Sequence, residues 1–364
     1  MTKKDYVSIL LIVLIILLSI NILISTLAGK EFSKKLDVKI EASKPALISL
    51  TKITADCSDC SSIDLSIQTL KSGNVNVTDE KEFKFNSNEA KELISRYNIK
   101  TLPTFIVTSE NLSKLSTVGY EKVNDALVFN NIKPPYYDLK QNKINGLVKV
   151  TLIKADNCEK CTDISFIKTQ LEKVGVKITE YNELNQNEAK ELILKYDIEN
   201  LPNLIVSNDL SVYEISKAWS TLGEVTDDGS FIITKLQPPY YSLKDKTIKG
   251  LISLKTIFDT SCIECQDKSL QETALKSIGL FFDTKKELDS NSNEARDLIK
   301  KYAITKLPAT ILSKETADYS GIGSIWAQVG TVETDGNFIL RNADLLGNYK
   351  DLKTGEVVKK TVEE

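Results

Sequence analysis

Cys158-Glu159-Lys160-Cys161 closes the apolar, β-branched run Leu147 to Ile153, and the same arrangement stands at two other places in the chain. Ala46 to Ile53 leads to Cys57-Ser58-Asp59-Cys60, and Leu251 to Phe258 leads to Cys262-Ile263-Glu264-Cys265. Such runs, stopped by turn residues, are expected as strands. Further along come Asn88-Glu89-Ala90, Asn187-Glu188-Ala189 and Asn293-Glu294-Ala295, then Leu102-Pro103, Leu201-Pro202 and Leu307-Pro308. From the Glu to the Pro is 14 residues in every copy, and from Tyr97, Tyr196 or Tyr302 to the Pro is 6. From the first cysteine to the Pro is 46, 44 and 46 residues. The period, about one hundred residues, is too long for a solenoid repeat and right for a domain.

Periodicity orders the elements within a copy. Ile164, Ile167, Leu171 and Val174 recur at helical spacing, as do Leu270, Ala274 and Ile278, which predicts a helix whose first turn holds the second cysteine. After a weaker strand, Ala90, Leu93, Ile94 and Tyr97 mark a second helix, repeated by Ala189, Leu192, Ile193 and Tyr196. The Leu-Pro pair opens a further strand, clearest as Phe105-Ile106-Val107 and Leu204-Ile205-Val206, and Asp228-Gly229 and Asp335-Gly336 turn a final hairpin. Pro134-Pro135-Tyr136-Tyr137 and Pro238-Pro239-Tyr240-Tyr241 read as short linkers, because paired prolines favour extended chain and cannot sit inside a helix or central strand. Their tyrosines are expected to pack at the domain seams. The domains then fall near 44–138, 146–242 and 249–352, each an α/β layer.

Composition limits the chemistry. The 364 residues give room for two or three domains, and a net charge of -3 gives no electrostatic reason to expect nucleic acid. There is no histidine, which removes the usual general base near neutral pH and the commonest metal ligand, and methionine occurs only at position 1. The 6 cysteines, in three close pairs, fit an oxidising compartment. Zinc held between two pairs is disfavoured, since the pairs lie in separate domains. From Tyr6 to Gly29 no residue is charged, and the apolar stretch is long enough to cross a bilayer. Segment 6–28 is therefore expected as a transmembrane signal-anchor rather than a cleaved signal. Lysines flank it on both sides, so the cysteines decide the orientation: N-terminus cytoplasmic, the three domains extracytoplasmic, in a single-pass protein of the cell membrane.

Strand, Cys-x-x-Cys at a helix start, strand, helix, then a proline opening the next strand: this order resembles the thioredoxin superfamily over all three domains, in a tandem arrangement like that of protein disulfide isomerases. The resemblance implies a cis X-Pro bond at Pro103, Pro202 and Pro308, each facing its own cysteine pair. It implies catalytic roles for Cys57, Cys158 and Cys262 as attacking thiols and for Cys60, Cys161 and Cys265 as resolving thiols, with no cofactor and no metal. Partners would be thiols and disulfides of exported proteins, a redox partner, and the membrane through the N-terminal helix. Departures from the family's pattern are visible too. Asp56, Asn157 and Ser261 stand where an aromatic is usual before the first cysteine, and the closing helix is missing, with segments such as Leu210 to Trp219 in its place. Asp59, Glu159 and Glu264 lie inside the pairs, where like charge opposes a thiolate and makes the disulfide harder to reduce. Lys160 offsets Glu159, so Cys158 is expected to ionise more readily than Cys57, which lies between two carboxylates, or Cys262. Two functions follow: a membrane-anchored protein disulfide oxidoreductase, or a redox-inactive binding scaffold whose pairs are structural disulfides.

Overall fold

The computed structural model describes residues 44–360 apart from Asn157, together with the isolated positions Leu18, Asn21 and Thr26. The expected membrane span 6–28 otherwise lies outside the described residues. Among those described, no helix is long and apolar enough to cross a membrane. The chain forms two compact units, Met1–Asn145 and Gly146–Glu364, the second holding two of the three copies.

In the first copy β1 (Ala46–Thr54) leads through the cysteine loop to α1 (Asp64–Lys71), followed by β2 (Val75–Lys84), α2 (Asn88–Arg96), β3 (Thr101–Leu102), β4 (Thr104–Thr108), β5 (Tyr120–Val123) and β6 (Ala126–Phe129). Five strands form a sheet in the order β2-β1-β4-β6-β5. β1 runs parallel to β2, which demands the crossover that α1 supplies, and antiparallel to β4. One face of the sheet buries Ile48 and Leu50 with Ile67 of α1, Phe105, Val107, Leu127 and Phe129. The other buries Ile53 with Ala90 of α2, Tyr97, Leu102, Ile106 and Val128. β1 therefore alternates over most of its length, with Ala46, Ile48 and Leu50 buried on the first face and Ser49 and Thr51 half-buried on the second, until Ile53 turns an apolar side chain into the second core. β2 lies at the edge and carries exposed Asp79, Glu80, Lys81 and Glu82, charges that discourage pairing with another chain.

The same sheet order recurs in the second copy and in the third. Local chemistry explains the differences. Ser87 and Ser292 cap the second helix of copies one and three by accepting from the N–H of Ala90 and Ala295. Copy two has Gln186 at that position, and its helix starts only at Lys190. In place of a closing helix, copy two runs through 3-10 turns that bury Leu210 and Trp219 against its sheet, as the sequence implies. Copy three uses the helix Ile322–Val329, which buries Trp326.

Three expectations need correction. Pro134 to Tyr137 is not a linker: β7 (Tyr136–Asp138) and β8 (Lys143–Asn145) form a hairpin that pairs with β3 in a second, three-stranded sheet. Copies two and three repeat this with Tyr240–Ser242 and Tyr349–Asp351. Tyr137 and Tyr241 pack in their own copy rather than at a seam, Tyr137 lying 5.1 Å from Phe85 between ring centres and Tyr241 joining the core around Ile153 and Leu201, whereas Tyr240 lies beside Lys249 and Asp318 of the third copy. Finally, Leu270 and Ile278 are exposed, and the third copy's first helix (Ser269–Ser277) instead buries Gln271 and Leu275.

Candidate functional site

Each strand that precedes a cysteine loop ends beside the proline of its own copy. Thr104, Asn203 and Ala309, next after Pro103, Pro202 and Pro308, pair with Ile53, Ile153 and Ile257, the buried residues just before the loops. The bonds Leu102–Pro103, Leu201–Pro202 and Leu307–Pro308 are all cis, as are Pro134–Pro135 and Pro238–Pro239. Cys57–Cys60, Cys158–Cys161 and Cys262–Cys265 are disulfides, with all six cysteines half-buried. In copy two the Cys161 sulfur lies 3.8 Å from the Leu201 carbonyl oxygen. There Cys158, Cys161 and Pro202 share a cleft of about 280 Å³ with Lys154, Asp163 and Glu183.

The second cysteine does not lie in a helical turn. The first helices begin at Asp64, Phe166 and Ser269, several residues beyond Cys60, Cys161 and Cys265. Two sets of hydrogen bonds account for the delay. Ser62, Asp163 and Asp267, each two residues past the second cysteine, accept from the N–H groups of Asp64, Ser165 and Ser269 at 3.1, 2.8 and 2.7 Å, as N-cap-like turns. The N–H groups of Ser61, Thr162 and Gln266 meanwhile donate to the carbonyls of Pro135, Pro239 and Asn348 at 2.8, 2.7 and 2.8 Å. Side chains double the tie: Ser61 Oγ donates to Pro134 O, Thr162 Oγ1 to Gln237 O, and Asn348 Nδ2 to Glu264 O. The segment leading into each small hairpin is thus a strap, fastened at one end to the residue after the cysteine pair and at the other to the residues before the cis-proline. None of these strap and cap residues stood out in the sequence as functional. The Ser or Asp two residues past the cysteine was the available signal.

Charge around the pairs is distributed differently from what chain neighbours suggest. Asp56 pairs with Lys84 at 3.0 Å and Glu264 with Lys359 at 2.9 Å, so part of the carboxylate repulsion expected at Cys57 and Cys262 is balanced. Lys160 does not turn to Glu159; its ammonium pairs with Asp283 of copy three. The cation lining the cleft of Cys158 is Lys154, paired with Glu183. Lys154 holds the Glu183 carboxyl below its ordinary range, and the backbone N–H of Ser165 does the same for Asp163. Burial, with Glu183 beside it, pushes the Tyr181 hydroxyl up to about 12. In copy three Lys350 and Ser261 depress Asp259, next to the loop. Asn157 lies outside the described residues.

No family model and no curated protein matches the chain. Among solved structures it is similar to full-length ERdj5, at 11% identity over 73% of this chain and 41% of that one, with a TM-score of 0.16. It is also similar to human ERp44, at 12% identity over 75% of this chain and 80% of that one, with a TM-score of 0.12. A third is a protein disulfide oxidoreductase from Aeropyrum pernix, at 13% identity over 46% and 77%, with a TM-score of 0.13. The chain spans about two fifths of the length of ERdj5. Superpositions that loose settle nothing about activity. The fold rests instead on the chain's own sheets: a parallel strand-helix-strand unit, two antiparallel strands beyond it, helices on both faces, a Cys-x-x-Cys loop after the central strand and a cis-proline before its neighbour. Three tandem thioredoxin-like units make up the described chain.

Proposed function

We propose that the chain is a thiol-disulfide oxidoreductase anchored in a membrane by segment 6–28, whose domains near 44–138, 146–242 and 249–352 exchange disulfides with exported proteins. The observation that carries this reading is the cleft of copy two, which presents Cys158, Cys161 and Pro202 together with the Lys154 cation. In the oxidised form, a substrate thiolate attacks the Cys158 sulfur; the Cys158–Cys161 bond breaks and Cys161 leaves as a thiolate. A second substrate thiolate then attacks the substrate sulfur of the mixed disulfide and releases Cys158. The substrate loses two electrons to the cysteine pair, and its two protons pass to solvent or to the released sulfurs. In the reduced form the Cys158 thiolate attacks a substrate disulfide and Cys161 resolves the intermediate. A separate redox partner returns the pair to its starting state. Cys57, Cys262, Cys60 and Cys265 take the corresponding roles in copies one and three.

A second reading, a redox-inactive scaffold, draws support from the delayed helix starts. A helix N-terminus lowers the pKa of a cysteine in its first turn, and its effect falls off within that turn. Here the helices begin beyond the second cysteines, and the N–H after each pair is bonded to the strap. Reduction potentials measured pair by pair separate the two. A value for Cys158–Cys161 between about -180 and -270 mV is expected for exchange, whereas all three pairs below roughly -300 mV would leave only the scaffold.

A further inference from the structure

The second cysteine loop is held by the third copy. Lys160, inside the pair, has its ammonium on the Asp283 carboxylate. Gln237, whose carbonyl accepts from Thr162, donates its own amide to Ser320 Oγ at 3.2 Å. Pro238 of the same strap packs on Gly250, where an added Cβ would come within 2.2 Å of the proline ring, and the Gly250 N–H is itself fixed by Asp318 at 2.7 Å. Contacts from the third copy therefore reach both the dipeptide between the cysteines and the strap beside them. The Asp283 side chain is 19% exposed against 53% for Lys160, so the carboxylate is the fixed partner and the lysine the tethered one.

We propose that Asp283 is a positioning residue for the second cysteine pair: by holding Lys160 it withholds a positive charge from the Cys158 thiolate, so that the third copy sets how readily the second pair is reduced. A disulfide carries no charge, but reduction produces a thiolate that an unpaired neighbouring ammonium favours. Bonded to a carboxylate, that ammonium acts as half of a dipole and its field at the sulfur is largely cancelled. The other charged groups facing the pair, Glu159, Lys154, Asp163 and Glu183, are the same whether or not Asp283 is present. The inference rests on the reading that this pair exchanges with thiols, yet its test needs no turnover.

The experiment is a titration of the full chain in dithiothreitol redox buffers, with thiols trapped and read peptide by peptide, followed by the pH dependence of alkylation in the reduced protein. At a pH above the pKa of Cys158, where the reduced pair carries a thiolate, Asp283→Asn is expected to raise the equilibrium constant for reducing Cys158–Cys161 by about three- to tenfold, and it should move Cys158 alkylation to lower pH by about half a unit to one unit. Cys57–Cys60 and Cys262–Cys265 should stay within about twofold, and Asp283→Glu should behave as the parent. In a Lys160→Gln background the effect of Asp283→Asn should drop below about twofold, since no ammonium remains to be released. Lys160→Gln alone sits on an exposed side chain and keeps the fold; it should change the parent by less than about twofold. An unshifted pair in Asp283→Asn, a shift that survives Lys160→Gln, or a large effect of Lys160→Gln alone overturns the proposal. Absence of catalysed exchange with these shifts present would instead count against the oxidoreductase reading alone.

Discussion

Gln271 offers a quantitative test of how the third copy is built. It is wholly buried in the helix Ser269–Ser277, with Nε2 donating to the Pro308 carbonyl at 2.8 Å and Oε1 accepting from Thr310 Oγ1, which is also wholly buried. The corresponding places in the other copies are apolar on both sides: Ile67 packs in one core with Phe105, and Ile167 with Leu204. Gln271→Ile, copying those domains, strands the Thr310 hydroxyl and takes a donor from Pro308. Each of the two stranded buried groups costs about 1–3 kcal/mol, and the extra apolar burial of isoleucine returns about 1 kcal/mol, leaving a net loss of roughly 1–5 kcal/mol. Adding Thr310→Val removes the stranded hydroxyl and should recover about 1–2 kcal/mol of that loss. The chain's two tryptophans make this measurable, because Trp219 is buried in copy two and Trp326 in copy three. In a Trp219→Phe background, urea unfolding followed by Trp326 fluorescence should show the midpoint falling by about 0.5–2.5 M for Gln271→Ile at a slope of about 2 kcal/mol/M, and rising again in the double variant. A drop below about 0.3 M, or a double variant no better than the single, would refute the pairing as the source of stability.

The tyrosine that closes each second helix is bonded to a carboxylate on the final hairpin: Tyr97 to Asp125, Tyr196 to Asp228 and Tyr302 to Asp335. Lys195, with the Thr226 hydroxyl, holds the Asp228 carboxyl well below its ordinary range. A depressed carboxyl stabilises the fold above its unfolded pKa, near 4, and the contribution fades as pH falls below that. In a Trp326→Phe background, the urea midpoint of copy two read by Trp219 should therefore fall between pH 5 and pH 3, and Asp228→Asn should flatten that slope; the partly exposed pair keeps the effect under about 1 kcal/mol. Ser61→Ala and Thr162→Val each remove one strap bond and should speed reduction of their own disulfide by dithiothreitol about two- to fivefold, with equal rates in variant and parent counting against the strap as a barrier. Protease applied to intact cells should digest the domains following segment 6–28; full protection in cells whose surface is otherwise accessible defeats the extracytoplasmic placement.

What the sequence made legible was whatever repeats with its chemistry intact. Ile53, Ile153 and Ile257 are buried near the ends of their strands, where each strand turns an apolar residue to the second core of its copy, and the three Leu-Pro pairs stand at one register because the interval from the glutamate of each Asn-Glu-Ala to its proline is 14 residues in every copy, although the helix within it is shorter in copy two. Helix phase was less legible. Ile164 is buried and fits the spacing of Ile167 and Leu171, so periodicity extends the helix back toward Cys161, although Asp163 caps a turn that starts it later. In copy three the core face carries Gln271, a polar residue at an apolar position, and the pattern therefore slipped onto Leu270 and Ile278. Hairpin strands of 3 residues, as in β7 and β8, are too short to show an alternation, and the prolines before them read as a break.

The charges were the least legible feature, and the reason is general. Asp56, Glu159 and Glu264 sit beside their cysteines in the chain, but a side chain's field depends on its partner in space. Asp56 found Lys84 across the sheet, Glu264 found Lys359, and Lys160 found an aspartate 123 residues away in another copy. Wherever such a partner exists, the field at a thiol depends on more than its chain neighbours. In copy two the cation expected from Lys160 is replaced by Lys154, which reaches the same cleft from the end of the central strand and is itself tied to Glu183. On the proposed exchange reading, two ion pairs rather than one lysine bear on Cys158, and each can be broken separately. Lys154→Gln leaves the Glu183 carboxylate unpaired in the cleft and should move Cys158 alkylation to higher pH, while Lys160→Gln leaves it nearly in place. The opposite order in peptide-resolved alkylation would return control to the chain neighbour and remove the third copy from the account.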